Sequence, residues 1–342
     1  MKKAYNFLLI FSVILVYLVI AAGATVRMTG SGMGCPDWPK CFGYIIPPTD
    51  RSQLDWKKKH NYKKGQIIIV NESLYVALND FTSAKIYNSQ NWVAYTKHEY
   101  SIFNSTHTWV EFLNRLLGAV AGFVTLLLFI TSIFKFKKDY LKTLFSFFVI
   151  LGMGFQAWLG KLVVDSNLMS YKISTHMGMA LLIILLLVFL LERENQSKID
   201  FPKKKSFKIL ILLSLILTVF QIGFGVQVRE FVDIQTDYLG LENKSNWLTK
   251  APILFYIHRS FSLVVLALNS FLGIKLLKNG TIPLVFKCII FFIGLEILTG
   301  IMMYYFYFPF STQPIHLLIA SFLFGAQSFF MIRIFRQYDF QD

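Results

Sequence analysis

Two histidines at the start of two long apolar segments are the side chains of this sequence best suited to bind a metal. His258 lies beside Arg259 in one segment, and His316 opens the last one. Ionisable groups in membrane-length segments are rare and usually functional. Neutral imidazole is a good ligand for haem iron, and two imidazoles from facing helices favour an electron-transfer haem. We therefore predict that both histidines bind one iron and that Arg259 pairs with a porphyrin carboxylate. The alternative is a pair of interfacial histidines bonded to loop carbonyls, with Arg259 extended to the membrane surface.

The first half of the chain contains an altered copy of this arrangement. His176 opens the fourth apolar segment, but Asn114 stands where the partner histidine is expected. An amide is a poor iron ligand, so we expect this half to hold a porphyrin that enters, reacts and leaves, with His176, Asn114 and Arg115 around it. His107 lies about two helical turns outward of Asn114. His107 could replace the missing histidine as an iron ligand, but this is the less favoured interpretation. The favoured one is that His107 is only a residue of the helix end or loop.

Glu111 precedes Asn114 by three residues and shares its helix face. A carboxylate in this place is suited to accept a proton or to stabilise a cationic intermediate. The competing interpretation is a carboxylate near the helix N-terminus that the helix dipole stabilises. Of these two roles, the catalytic one is our prediction for Glu111.

Two cysteines, Cys35 and Cys41, are separated by five residues in a glycine-rich stretch after the first apolar segment. Disulfides persist on the exported side of a membrane, whereas a zinc site needs more ligands nearby. We predict a disulfide between them. Its role is either structural or redox-active, because a cysteine pair beside a redox centre can relay two electrons.

These side chains need helices that cross a membrane to position them. The chain has 342 residues, of which 55% are hydrophobic and 15% charged, whereas soluble proteins have about 25% charged residues. The composition predicts an all-α polytopic membrane protein. The net charge of +15 is explained by lysines beside the spans and in an external loop, so no nucleic-acid partner is expected. Eight segments of spanning length predict transmembrane helices at roughly 7–25, 109–134, 143–163, 173–191, 207–226, 253–277, 283–304 and 314–334.

An internal repeat organises these eight helices. Helices one and five both end in Gly-x-x-Val-Arg, and helices three and seven share a Gly-x-(Gln/Glu)-x-x-x-Gly motif at an offset of 140 residues, the same offset that separates His176 from His316. We predict two pseudo-symmetric four-helix bundles in parallel orientation. Their predicted ranges are 1–191, which includes an insertion at about 26–108, and 207–342, with a linker at 192–206.

Lysine and arginine residues cluster between helices on the side of both termini, which the positive-inside rule makes cytoplasmic. The first segment resembles a signal peptide, but we expect it to remain as helix one, because its end recurs in helix five. The absence of transit-peptide composition favours a bacterial plasma membrane. In the insertion, residues 66–70 and 74–78 have the composition of short strands, and no chemistry is expected there.

Taken together, these motifs resemble the haem A synthase family, membrane enzymes that make the haem of terminal cytochrome oxidases. The resemblance covers most of the chain apart from about 50–105. The residues that carry it are Arg27-Met28-Thr29-Gly30-Ser31-Gly32, Cys35-Pro36-Asp37-Trp38-Pro39-Lys40-Cys41, Glu111 to Gly118, Gln227-Val228-Arg229-Glu230, His258-Arg259 and His316-Leu317.

The resemblance implies a haem b held by His258 and His316, and a substrate haem O in the N-terminal bundle near His176. It implies a catalytic role for Glu111 and a functional disulfide between the two cysteines. Asn114 departs from the commoner Glu-x-x-His-Arg pattern. The implied reaction oxidises the C8 methyl of haem O to a formyl group by successive hydroxylations. The implied partners are membrane lipid, haem O synthase, assembly factors of cytochrome oxidase and an electron acceptor.

Two other classes of function stay open from the sequence. One is a b-type cytochrome that only transfers electrons, which two equivalent bis-histidine sites would favour and Asn114 opposes. The other is a non-catalytic haem carrier or assembly factor, for which Glu111 is dispensable. A transporter with parallel repeats is less favoured, because its polar residues would lie at the membrane midplane, whereas those of this chain gather at the helix ends.

Overall fold

The computed structural model describes residues 2–96, 103–134, 137, 139–166, 168–195, 199–280 and 282–339. Within these residues, eight helices are long and apolar enough to cross a membrane, as predicted. The chain is therefore a mostly helical multi-pass membrane protein. The helices are α1 Lys2–Met28, α2 Ser105–Ile133, α3 Tyr140–Asp165, α4 Ser170–Glu194, α5 Lys205–Leu239, α6 Ile253–Lys278, α7 Leu284–Tyr305 and α8 Thr312–Asp339.

The helices form two four-membered rings. In the first ring α1 packs on α2, α2 on α3, α3 on α4, and α4 returns to α1; helices α5 to α8 repeat the same cycle. Each ring encloses its own apolar core, with Leu128 and Ile183 buried in the first, and Leu272 and Phe286 in the second. Two bundles of the same order are what the internal repeat predicts.

The bundles meet mainly through α8, which packs on both α1 and α4. A small apolar cavity of about 30 Å³ lies at this junction. Its lining residues are pairs from equivalent positions of the two halves, which places the pseudo-twofold axis through the cavity. These pairs are Ile20 with Ile222, Met177 with Leu317, Ala180 with Ala320, and Leu181 with Ser321.

Helix α5 is longer than the sequence predicted. The predicted end was at about 226, where the apolar run stops, but the helix continues to Leu239 and ends before Gly240, whose φ is 80°. The extension lacks glycine and proline, and it buries Val232 against Trp247 and Phe308. Packing outside the apolar core of the bundle therefore keeps this polar segment helical, an outcome that hydropathy alone does not show.

The insertion between α1 and α2 forms a small β-structure. Strands β2 Ile67–Val70, β3 Ser73–Ala77 and β5 Trp92–Ala94 make an antiparallel sheet in the order β2-β3-β5, and β1 Asn61–Tyr62 pairs with β4 Phe81–Thr82. The two predicted strands, at 66–70 and 74–78, are thus confirmed. Buried residues of the sheet pack with Cys35 and Cys41 in one apolar cluster, so the insertion supports the cysteine loop above α2.

Candidate functional site

The structure brings His258 of α6 and His316 of α8 face to face inside the C-terminal bundle. Their ring centres are 6.4 Å apart and the ring planes meet at 78°. Imidazole–metal bonds are about 2 Å long, so one metal ion between two rings needs ring centres roughly 6 Å apart. Nδ1 of His258 is buried and has no hydrogen-bond partner among the described residues. This geometry fits one metal ion between the two histidines.

Helix α7 orients the ring of His316. The hydroxyl of Thr299 lies 2.7 Å from Nδ1 of His316 and also contacts the backbone carbonyl of Leu295 at 2.8 Å. With Nδ1 engaged by this hydroxyl, Nε2 is the ring nitrogen of His316 that is left for another ligand. In this structure Nε2 faces Oε2 of Glu296 at 3.2 Å. Thr299 therefore holds the ring of His316 in place, and Glu296 lies next to the nitrogen that would bind a metal.

Glycines on the neighbouring helices make room for both rings. A Cβ on Gly225 of α5 would lie 3.0 Å from Cε1 of His258, and one on Gly300 of α7 would lie 4.0 Å from Cε1 of His316. Gln221, one turn before Gly225, donates from Nε2 to the backbone carbonyl of His258 at 3.0 Å. Gly225 therefore makes room for the ring of His258, whereas Gly300 borders the ring of His316 at an ordinary contact distance.

The N-terminal bundle repeats this construction with one side chain exchanged. A Cβ on Gly160 would lie 3.5 Å from Cε1 of His176, and one on Gly23 would lie 3.8 Å from Oδ1 of Asn114. Nδ1 of His176 and Oδ1 of Asn114 are both buried without a partner among the described residues. Buried polar atoms are normally hydrogen-bonded, so each of these two atoms is available to a polar ligand. The residues present offer one imidazole and one amide.

Glu111 is buried at the outer part of α2, where it contacts the cysteine loop. Its Oε2 accepts the backbone N–H of Cys35 at 2.7 Å, and its Oε1 accepts a hydrogen bond from Arg115. Arg115 also donates to the backbone carbonyls of Asp37 and Lys40, at 2.7 and 3.0 Å. The predicted substrate-side residues Glu111 and Arg115 therefore hold the loop in place as a connected pair.

Cys35 and Cys41 are joined by a disulfide with their Cα atoms 4.7 Å apart. The loop lies directly on the first turn of α2, because a Cβ on Gly34 would come within 2.3 Å of the backbone oxygen of His107. His107 is thus a half-buried residue of the helix end. Within the loop, burial raises the pKa of the Asp37 carboxyl, whose Oδ2 accepts the N–H of Gly43 at 2.8 Å.

Arg259 is exposed, and its guanidinium lies over the rings of Tyr256 and Tyr304, 5.7 and 5.6 Å from their centres. This cation–π arrangement is the contact that the structure gives it, and its pairing with a porphyrin carboxylate stays a prediction.

Sequence reasoning assigned no role to Glu296, Thr299 or Asp233. Glu296 had a signal, since it is a carboxylate inside an apolar segment, and Asp233 lies four residues after Arg229. Thr299 had no such signal in the sequence, because a threonine in an apolar helix is common. In the part of the chain that the structure describes, no three or more His, Cys, Asp or Glu side chains cluster as a metal site. A haem needs only axial ligands, because the porphyrin nitrogens supply the others.

Comparison with known proteins adds independent observations. A family model described as cytochrome oxidase assembly protein, COX15-CtaA, matches residues 6–88 and 75–328. A protein of Flavobacterium johnsoniae named "Heme A synthase" is 23% identical over 364 aligned positions, 94% of this chain and 95% of that protein. One of the same name from Ehrlichia canis is 25% identical over 345 positions, 92% and 89% of the two chains. One from Shewanella oneidensis is 24% identical over 222 positions, so that the alignment spans 64% of this chain and about half, 55%, of that protein.

Proposed function

The chain belongs to the cytochrome oxidase assembly protein family COX15-CtaA, and we propose that it is a haem A synthase that oxidises the C8 methyl of haem O to a formyl group by successive hydroxylations. Relatives that carry this name align with more than nine-tenths of the chain. The observation that carries the proposal is the unequal pair of sites. One bundle offers two facing imidazoles, and its copy offers an imidazole and an amide.

The C-terminal bundle is the proposed site of a resident haem b, with His258 and His316 as its ligands. The 6.4 Å separation of the rings and the unpartnered Nδ1 of His258 support this assignment. Thr299 contacts Nδ1 of His316, which leaves Nε2 of that ring for the iron. Haem b, when bound, supplies one-electron oxidation and reduction.

The N-terminal bundle is the proposed site of the substrate haem O, beside His176 and Asn114. A site with one imidazole binds iron less firmly than one with two, which suits a molecule that has to leave as product. Glu111 is the proposed proton acceptor. Its contacts with Arg115 and with the N–H of Cys35 keep the carboxylate in a fixed, water-poor position.

We further propose the setting of this enzyme. The bundles comprise residues 1–191 and 207–342, joined by the linker 192–206, and both termini face the cytoplasm of a bacterium whose plasma membrane the chain spans. The lysine and arginine distribution supports this orientation. Proposed partners besides haem O are a haem O synthase, assembly factors of cytochrome oxidase and an electron acceptor.

Extraction of pigments from the purified protein tests the proposal. The protein is co-expressed with a haem O synthase, and its haems are separated by chromatography and identified by mass. We expect haem B together with haem A or a hydroxylated haem O. Haem B alone, with supplied haem O unchanged under oxidising conditions, would contradict the proposal and favour an electron-transfer cytochrome or a haem carrier.

A further inference from the structure

Two arginines and one aspartate form a half-buried cluster where the bundles meet, at the end opposite the termini. Arg27 of α1 donates from Nε and Nη2 to Oδ2 of Asp233, at 2.7 and 2.6 Å. Arg229 of α5 contacts the other oxygen, Oδ1, at 2.6 Å. The side chains are 16%, 18% and 30% exposed for Arg27, Arg229 and Asp233. Among the described residues Asp233 is the one acidic partner of both guanidinium groups, so the cluster carries one uncompensated positive charge.

Arg229 lies at the outer edge of the C-terminal site. It follows Gly225, the glycine that borders His258, by four residues. Four residues advance a helix by about 6 Å and return close to the same face. Arg229 also donates to Oε1 of Gln313, which precedes His316 by three residues. Two independent helices therefore place this guanidinium about one turn outward of the histidine pair.

Arg27 has the same relation to the N-terminal site. It follows Gly23, the glycine that borders Asn114, by four residues. In both halves the Gly-x-x-Val-Arg motif thus places its glycine beside His258 or Asn114 and its arginine one turn further out.

Porphyrins of the haem type carry two carboxylate side chains on one edge, and arginine is the residue best suited to bind a carboxylate with two parallel hydrogen bonds. We propose that Arg27 and Arg229 bind the porphyrin carboxylates of their respective bundles, and that Asp233 competes with these carboxylates for both arginines. This inference rests on the proposed function, since it requires a porphyrin in each bundle.

Sharing one aspartate makes the two sites unequal. When Arg229 is engaged by the resident porphyrin, Asp233 pairs with Arg27 alone. A substrate carboxylate then has to displace Asp233 from Arg27, which weakens binding in the N-terminal bundle. The cluster thereby keeps one porphyrin resident and the other exchangeable. The alternative is a salt bridge that only stabilises the contact between the bundles. Its loss would change the binding of porphyrins with and without free carboxylates to the same extent.

Porphyrin binding to the purified protein with its resident haem tests the inference. Zinc protoporphyrin IX and its dimethyl ester, which has no free carboxylate, are titrated separately, and binding is followed by porphyrin fluorescence. Asp233→Asn is expected to lower the Kd of zinc protoporphyrin IX about tenfold and leave that of the ester unchanged. Arg27→Gln is expected to raise the Kd of zinc protoporphyrin IX about tenfold, again without effect on the ester.

Glu192→Gln is the matched control. Glu192 is the buried acid of the other ion-pair cluster between the bundles, where it contacts Arg333 and Arg336, and its removal is expected to change neither titration. An unchanged Kd in Asp233→Asn, or equal changes for acid and ester, would overturn the inference while the proposed function stands. If the wild-type protein bound neither porphyrin, the proposed function would fail and the inference with it.

Discussion

Individual side chains account for the difference between the two bundles. His258 and Asn114 occupy equivalent places, each bordered by a glycine of the preceding helix. Their bundle mates His316 and His176 are likewise equivalent. Under the proposed assignment, one exchange, imidazole for amide, separates a site with two iron ligands from a site with one. Both halves keep a glycine beside each of these side chains, and the contact is tight at Gly225.

Replacement of either facing histidine tests the iron-ligand assignment. His258→Ala and His316→Ala are each expected to lose most of the tightly bound haem and much stability, because one axial ligand disappears while the cavity around it remains. Haem content per protein after purification is the measurement. His60→Ala, a change in the exposed part of the insertion, is the control. Full haem content in either variant would show that the assignment is wrong.

A substitution at Glu111 can test its proposed catalytic role while keeping its contact with the cysteine loop. Glu111→Gln retains an oxygen that can accept the N–H of Cys35 but removes the carboxylate charge next to Arg115. We expect the variant to keep the fold and the haem of the C-terminal bundle, and to lose at least about a hundredfold in conversion of haem O, a typical effect of removing a catalytic base. Undiminished formyl product, measured by mass, would remove Glu111 from the mechanism.

Among the elements, α5 connects the C-terminal site to the outer arginine cluster. Four residues spaced by four along one of its faces have separate contacts. Gln221 binds the backbone of His258, Gly225 makes room for the ring, Arg229 joins the outer cluster, and Asp233 receives both arginines. The stripe continues beyond the predicted membrane span, so the unexpected length of α5 is what brings Asp233 to the cluster.

Two glycines of α5 provide a matched pair of variants that tests the contact between this helix and the ring of His258. Gly225→Ala puts a methyl group 3.0 Å from Cε1 of His258, whereas Gly223→Ala meets nothing within 4 Å. Both changes favour the helix by about 1 kcal/mol. Any difference in haem binding between the two variants is therefore due to the contact with the ring of His258. Gly225→Ala is expected to lower haem content or shift the midpoint potential of the haem, with Gly223→Ala unchanged. Equal behaviour of the two variants would mean that His258 does not need this space.

At the scale of the whole molecule, charged clusters connect the bundles at both ends. At the end of the termini, Glu192 of α4 is 1% exposed and contacts Arg336 at 2.9 Å and Arg333 at 3.3 Å. At the opposite end, Asp233 links Arg27 and Arg229. Between them lies the apolar junction with its symmetric cavity. The two bundles are therefore held in register by ion pairs at two depths.

Removal of the buried acid tests this connection. Glu192→Gln leaves Arg333, which is 5% exposed, without an opposite charge, and an unpaired buried charge costs on the order of 3 kcal/mol. We expect a lower free energy of unfolding in detergent and a lower thermal midpoint, with haem content retained in the folded fraction. The exposed pair of Lys63 and Asp80 supplies the comparison, because Asp80→Asn removes only a surface ion pair, and such pairs contribute little to stability. Equal stability of the two variants would contradict the role of Glu192.

The sequence by itself determined the eight spans, the two-fold repeat, the histidine pair and the exchanged Asn114. These follow from hydropathy, from fixed offsets and from residue chemistry, and such signals are local or repeat at a constant spacing. The strands of the insertion were visible for the same reason, since their residue types favour extended structure.

The tertiary structure alone decided which side chains meet. Thr299 reaches His316, Glu111 reaches the N–H of Cys35, and Asp233 reaches Arg27 across 206 residues of chain. The physical reason is that helix packing, rather than helix formation, sets these distances, and packing depends on the shapes of all the neighbouring residues at once. Tertiary packing also sets the length of α5, because Val232 is buried against Trp247 and Phe308, which lie in other segments of the chain.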